Sequence, residues 1–351
     1  MFRETNESVL NWVLKQMKLL INIARKKYSV IYVSGISWLT PQLTRFLSRG
    51  ASIFVYDSSN IQTGVMKTLR KNILIILIVT ILEALYIKGA DLIVPCGVSF
   101  RDYYKEKYSR ANNIILIPDP VDTQRYADKA VKTGSDLNHD KDRRLKVVYT
   151  STFDTITVSG KESVPRGWEI VEVLSRLEGE SRNRIVVYFV GKGPSIDNLE
   201  KIVSEKNVGA SCIFTGFLSD SEFMDVMVSA HLGFMEDYST LGYRYSVGSK
   251  IQEYMSAGLA VITGNSPEKV YMLRDQNIPQ LLFSPLDIDS ENGMDDYLSA
   301  VESAFVFALD NIHKLGDAGD RNRKRANAIF GLNTVRKMVQ GLYDRYLKSG
   351  F

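Results

Sequence analysis

Apolar positions along the chain fall into two successive series of alternating strand and helix signals. Val9, Leu10, Val13, Leu14, Met17, Leu20, Ile21 and Ala24 recur at helical spacing and predict a first helix. The β-rich run 30–33 follows and ends at Gly35. A helix over about 40–48, a strand at 53–56, and an apolar helix over 73–82 that continues past Glu83 to Ile87 come next. A strand at 92–94, a polar helix near 99–109 and a strand at 114–117 complete the first series, with Pro118 and Pro120 punctuating its exit. Residues 127–145 are polar and charged, and read as a linker or long surface loop. The second series predicts strands at 147–149, 185–190, 212–214, 232–235, 259–262 and 281–283, with helices near 166–178, 195–206, 219–229, 249–257, 267–274, 294–311 and 318–348. Such alternation is the pattern of parallel sheets covered by helices, so the expected class is α/β with two doubly wound domains. The expected boundaries are 1–142 and 143–325, with a C-terminal helix at 326–351 packing back on the first domain. The first series has about four strands and opens on a helix that no glycine-rich turn precedes, so that domain is expected to lack its first strand.

Composition narrows the class. With 351 residues, 45% hydrophobic and 24% charged, the chain has an ordinary globular make-up and room for about two domains. Cys96 and Cys212 are far apart, which gives neither a disulfide framework nor a zinc site and points to a reducing, cytoplasmic setting. His139, His231 and His313 are scattered, which argues against a histidine metal site. The charged opening residues lack the early apolar core of a signal peptide.

Charge is unevenly spread. Residues 1–144 hold 22 Lys+Arg against 13 Asp+Glu, and the remainder 22 against 27. A basic first half suits an anionic neighbour, either a membrane leaflet or a phosphorylated acceptor. No nucleic-acid-binding motif is present. The run at 73–82 is too short to span a bilayer and is preceded by Lys67, Arg70 and Lys71. Two readings stay open for it: a buried core helix, or an interfacial helix dipping into anionic lipid.

The densest chemistry lies between Gly248 and Gly264. A helix starting on a Gly-Ser pair ends at Gly258 and runs into a buried strand. Lys250 and Glu253, three apart, are expected on one helix face, and Ile251 and Met255 on another. A cation, a carboxylate and a helix N-terminus together can hold a phosphorylated, hydroxyl-rich ligand.

This segment, Lys250, Glu253-Tyr-Met and Gly258-Leu-Ala-Val-Ile262, resembles the "sKxxEymaaGkPVi" signature of the retaining glycosyltransferases of family 4, a group 1 family with GT-B architecture. Ile117-Pro-Asp-Pro-Val-Asp122 with Tyr126 resembles its "IPNGVD…F" segment. Ala90-Asp-Leu-Ile-Val94, Val190-Gly-Lys-Gly-Pro194 and Phe214-Thr-Gly-Phe217 resemble three further motifs in the same order. The resemblance implies two Rossmann-like domains facing a cleft. It implies transfer of a hexosyl group from a nucleoside-diphosphate sugar to an acceptor hydroxyl, with retention, in cell-surface glycan or lipid-linked saccharide synthesis. Glu253 would bind the ribose hydroxyls and Lys250 would sit near the diphosphate. Arg166 precedes Gly167 where the family has a Lys-Gly pair, and would clamp phosphate. Gly191 and Gly193 would let backbone approach the nucleotide, and Ser249 would cap its helix or donate to phosphate.

The chain also departs from the family pattern. Tyr245 stands in the donor site where many members carry a glutamate. Ser151-Thr152 replace a Gly-Arg signature, with Lys161 as a candidate substitute. Tyr56-Asp57 occupy the stretch where many members carry a histidine, and Asp57 either contacts the acceptor or is structural. The resemblance implies no metal and no cofactor besides the donor, because cations and a helix N-terminus can stabilise the departing diphosphate. The implied partners are a nucleotide sugar, a saccharide or lipid-linked acceptor, and an anionic membrane surface at the cytoplasmic face. The absent opening strand motivates the alternative, a non-catalytic nucleotide-sugar-binding paralogue or partner subunit.

Overall fold

The computed structural model describes residues 18, 21–22, 28–35, 40–48, 53–58, 60–68, 72–108, 113–133, 144–158, 162–245, 247–288, 290 and 293–347. Most of the helix expected over 9–24, the residues around His139, and Lys161 lie outside these. The chain divides into two compact units, one from residues up to Ile117 together with Leu342 onward, the other from Pro118 to Gly341.

In the first unit β1 (Val30–Ser34), β2 (Ile53–Ser58) and β3 (Leu92–Pro95) form a parallel sheet in that order. The strand expected at 114–117 is reduced to a single bridge, Ile114 to Ile93. Ile115 N–H still bonds Ile93 O at 2.9 Å and Ile117 N–H bonds Pro95 O at 3.2 Å. Pro118 then has no N–H to continue the ladder. Val55, Leu92 and Val94 form a small core, against which Val30, Ile53, Ile115 and Leu342 pack. Tyr56 and Tyr86 pack nearby with ring centres 5.0 Å apart and planes inclined by 45°.

The helix Ile73–Gly89 is capped by Asn72, whose side chain accepts Leu74 N–H at 2.8 Å. Its one acidic residue, Glu83, is fully buried. Glu83 accepts Gln62 N–H at 2.9 Å and Thr63 Oγ1–H at 2.7 Å. Burial pushes this carboxyl above its ordinary value, although those two hydrogen bonds oppose the shift.

The second unit holds β4 (Leu145–Thr150), β5 (Thr155–Val158), β6 (Glu162–Pro165), β7 (Ile185–Val190), β8 (Cys212–Gly216), β9 (Leu232–Met235), β10 (Ala260–Gly264) and β11 (Leu282–Phe283). Six of these make a parallel sheet in the order β11-β10-β9-β4-β7-β8, and β5 and β6 pair as a separate antiparallel hairpin. β4, β7 and β9 are apolar runs buried on both faces, as helix-covered parallel strands must be. The order runs outward in both directions from β4 and β9, which makes this pair the switch point. In open α/β sheets ligands bind beyond the strand carboxyl ends at that point.

Three expectations need correction. The stretch 127–145, expected as a linker, is helical at its start, where the helix Thr123–Thr133 runs into it. Tyr126 is fully buried on it, Lys129 pairs with Asp225 at 2.8 Å, and Val121 N–H bonds Phe330 O at 2.9 Å. The second unit therefore begins near Pro118 rather than 143. The apolar stripe of that helix is too narrow to stand out from its polar composition. The helix expected over 318–348 is broken into Ile312–Phe330 and Leu332–Leu342, because Gly331 pairs with Val121 through its backbone. The short strands of the β5–β6 hairpin were missed by periodicity altogether, being four residues each.

Candidate functional site

Beyond the carboxyl ends of β4 and β9 lies a cavity of about 590 Å³. Ser151, Asp154, Arg166, Gly191, Glu236 and Lys250 are among the residues that line it. The chain leaves β4 through Ser151 and Thr152 and turns at Phe153, whose φ of 40° is rare for a bulky residue. Such a conformation costs about 1–3 kcal/mol and persists only when its surroundings fix it. Here the ring is buried with Tyr149, centres 5.9 Å apart, and the Phe153 carbonyl accepts Ser195 N–H at 2.9 Å.

The glycines after β7 serve this same loop. A Cβ on Gly191, at φ 129°, would collide with Ser151 O, and one on Gly193 would overlap Thr152 O. Close approach of backbone to backbone, within the protein itself, therefore already requires both glycines. Gly191 lines the cavity, whereas Gly193 is not among the lining residues.

The charged constellation centres on Glu236, which directly follows β9 and is 2% exposed. Arg166 Nη1 donates to it at 2.7 Å, and Lys250 Nζ at 3.0 Å. Burial alone would raise this carboxyl, but Lys250 and Arg166 prevail and hold it at about 2. Arg166 also donates through Nε to Asp154 and through Nη1 to Tyr243 OH at 2.6 Å. The Lys250 ammonium lies 4.3 Å from the Tyr149 ring centre, within cation–π range. Two cations and two carboxylates thus balance at the cavity wall.

The helix Ser249–Ala257 begins at this wall. Its N-cap is Gly248, at φ 67°, with no side-chain cap, so Ser249 is not the cap. Gly248, Ser249 and Lys250 all line the cavity, which is thereby open to an uncapped helix N-terminus.

Glu253 does not join Lys250. The two are roughly 60° apart around the helix, and each finds a different partner. Glu253 accepts from Arg125 Nη2 at 3.0 and 3.2 Å and from the Tyr126 hydroxyl, both on the helix Thr123–Thr133. Arg125 also stacks on the Tyr126 ring at 4.8 Å. Glu253 and Tyr245 are not among the cavity-lining residues, and Tyr245 ends the short helix Leu241–Tyr245, with Arg244 5.7 Å from its ring centre. Asp57 belongs to the first unit, at the end of β2, where it accepts Tyr32 OH at 2.7 Å. The structure therefore gathers Arg166, Ser249, Lys250 and Gly191 at one cavity, and leaves Glu253, Gly193, Tyr245 and Asp57 away from its lining.

Glu236, Asp154, Arg125 and Tyr243 escaped the sequence reading. Only Glu236 carried a signal: Glu236-Asp237 follow at once on a buried apolar strand. A carboxylate there must find a cation, and Asp237 finds one too, the fully buried Lys269.

A second buried carboxylate responds in the opposite direction. Glu169, in the first turn of the helix Trp168–Arg176, accepts the Tyr238 hydroxyl. Burial first, then the Glu236 charge, lift it from 4.5 to about 7. With the folded value above the unfolded one, its contribution is whole below about 4.5 and is lost as pH rises through about 7, up to ~3 kcal/mol. Glu169→Gln keeps the acceptor for Tyr238 and cannot ionise. It is expected to flatten the stability profile between those pH values in chemical denaturation. An equal loss at every pH would contradict this.

Residues 168–300 match the family described as glycosyl transferases group 1. No curated protein matches the chain. Among solved structures, the sucrose-phosphate synthase of Thermosynechococcus elongatus superposes with a TM-score of 0.68 at 18% identity, covering 98% of this chain and 81% of that one. HepE of Anabaena, solved with UDP, gives 0.65 at 13% identity, covering 97% and 85%. WaaG, a glycosyltransferase involved in lipopolysaccharide biosynthesis, gives 0.56 at 12% identity, covering 98% of each chain. The chain accordingly has the α/β fold of the GT-B glycosyltransferases, and its segment 168–300, which carries Glu236, Ser249 and Lys250 of the cavity wall but not Asp154 or Arg166, is similar to group 1 glycosyl transferases.

Proposed function

We propose that this protein transfers a sugar from a nucleoside-diphosphate donor to an acceptor hydroxyl with retained configuration and without a metal. The observation that carries the reading is the convergence of Arg166, Lys250 and an uncapped helix N-terminus on the switch-point cavity. The chemical demand of the reaction is stabilisation of a leaving diphosphate as its charge grows. Helix N–H groups supply fixed partial charge for that purpose. Arg166 keeps its Nη2 N–H groups without a partner among the described residues, and these can meet a phosphate oxygen while Nε and Nη1 stay engaged. Glu253, held by Arg125 and Tyr126, has remaining lone pairs for ribose hydroxyls. The acceptor class best suited to the basic first half is a phosphorylated or lipid-linked saccharide.

A thermal-shift panel of UDP- and GDP-sugars tests this, with UDP-glucose first because HepE is also solved with it. A donor is expected to raise Tm. Glu253→Ala removes a charged acceptor worth about 1.5–3 kcal/mol, so the shift should fall away at matched donor concentration. No shift with any donor, or a shift indifferent to this substitution, overturns the assignment. A second reading, donor binding without turnover, is favoured by the neutralised cations, since Asp154 and Glu236 already occupy Arg166 and Lys250. Donor-induced stabilisation with no sugar transfer to any acceptor, or release as free sugar, would select it.

A further inference from the structure

The helix Ile73–Gly89 is inverted. On a soluble surface helix the polar stripe faces water and the apolar stripe faces the core. Here Glu83 faces inward with Tyr86 and Ile87, all buried, while Leu74, Leu77, Ile78, Ile81 and Leu85 face outward. These five recur at helical i, i+3, i+4, i+7 spacing and form one continuous stripe. Leu74 is 61% exposed, Leu77 54% and Ile81 52%. The neighbouring helix Pro41–Ser48, tied on by Gln42 Nε2 to Leu85 O at 3.1 Å, adds Phe46 at 81% exposure. A continuous apolar stripe of this kind, with a further exposed aromatic on the helix beside it, marks a surface that is covered in use.

Its charge says what covers it. Lys67, Arg70 and Lys71 precede the helix in sequence, exposed Lys88 continues the outward stripe in its last turn, and the helix's single acid points away. A second copy docked by this stripe about a two-fold axis would set basic ends against basic ends, whichever way the helices ran. Residues 1–27 offer no counter-charge either, with six Lys+Arg against two Asp+Glu. Anionic lipid headgroups supply both the apolar layer and the opposite sign. No described helix is long and apolar enough to cross a membrane, so the geometry is one of lying along the interface.

We propose that the outward stripe of Ile73–Gly89, with Phe46, seats the protein on an anionic bilayer surface, its apolar residues in the headgroup–acyl boundary and its flanking lysines on lipid phosphates. This docking stands independently of the sugar-transfer reading.

The test is flotation of the full chain with vesicles of phosphatidylglycerol in phosphatidylcholine, and of phosphatidylcholine alone, at low and high salt. Association with the anionic vesicles is expected, weakened by salt. Leu77→Glu/Ile81→Glu should lower partitioning by at least about tenfold while leaving the unfolding midpoint in place, because both side chains are exposed. Lys88→Glu should weaken it to a smaller degree and make its salt dependence shallower. Three results overturn the proposal: no flotation at low salt, flotation untouched by the double variant, or a dimer by light scattering that the double variant dissolves while vesicles bind neither protein.

Discussion

Replacing Arg166 by methionine is expected to slow sugar transfer by about a hundred- to a thousandfold, the usual cost of losing one preorganised donor to a developing charge. The loss should fall on kcat as much as on kcat/KM, because the diphosphate gains charge only as its bond to the sugar breaks. The same substitution leaves Glu236, fully buried, with Lys250 as its one ionic partner among the described residues. Stripping a partner from a buried charge is destabilising. A pH signature separates this from a general packing loss. Glu236 sits at about 2 in the folded protein against 4.5 for the free group, so its contribution is whole above about 4.5 and is lost as pH falls toward 2. Without Arg166 that folded value must rise, and acid unfolding should begin at a higher pH.

Glu236→Gln should act in the opposite direction on the free diphosphate, whose charge is already fully developed. It releases both cations to face the cavity, so free nucleoside diphosphate should bind more tightly, by about tenfold or more given a Coulomb energy of a few kcal/mol near a protein surface. Equal weakening by both substitutions, in isothermal titration with UDP, would mean that the cations serve the fold and not the ligand.

The two halves of the chain were legible to different degrees, for physical reasons. The six-stranded sheet was written in runs such as Ile185–Val190 and Leu232–Met235, because strands covered on both faces admit almost nothing but apolar residues. The helix Ser249–Ala257 announced both ends by glycine, with Gly258 in the left-handed region at φ 82°. The helix Thr123–Thr133 announced neither end, and its ties to neighbouring helices run through polar contacts, Thr123 to Asn327, Lys129 to Asp225 and Tyr126 to Glu253, that periodicity does not record. Site residues divided along the same line. Lys250 was named from its place at a helix start and Arg166 through the family resemblance, and both lie at the cavity wall. Their partners Asp154 and Glu236 come from other elements, and pairing across the fold has no spacing in sequence. The apolar run at 73–82 was legible as a helix but not as an inverted one, because the run shows no polar face and only the packing of Glu83 fixes which side is in.

Gly193→Ala is expected to destabilise the second unit strongly, by about 3 kcal/mol or more. A methyl group there would overlap the carbonyl oxygen of Thr152 and crowd that of Phe153. Neither carbonyl can move cheaply. Phe153 already holds its strained φ of 40°, its ring locked between Tyr149 and Phe189 and its carbonyl engaged by Ser195. Relief must therefore come from shifting the β7 exit, which is one wall of the cavity. For a unit of this size the loss corresponds to a Tm decrease of about 10 °C, measurable by calorimetry without any ligand. Gly191→Ala should behave alike, with the added strain of placing a side chain at φ 129°. The comparison distinguishes two reasons for a glycine at such a turn. If the residues are glycine only so that a nucleotide can come close, alanine leaves the free protein as stable as before and reduces donor binding. If the loop's own backbone requires them, stability falls first and binding follows it, because Ser151 and Thr152, which line the cavity, are the very groups that the new methyls displace.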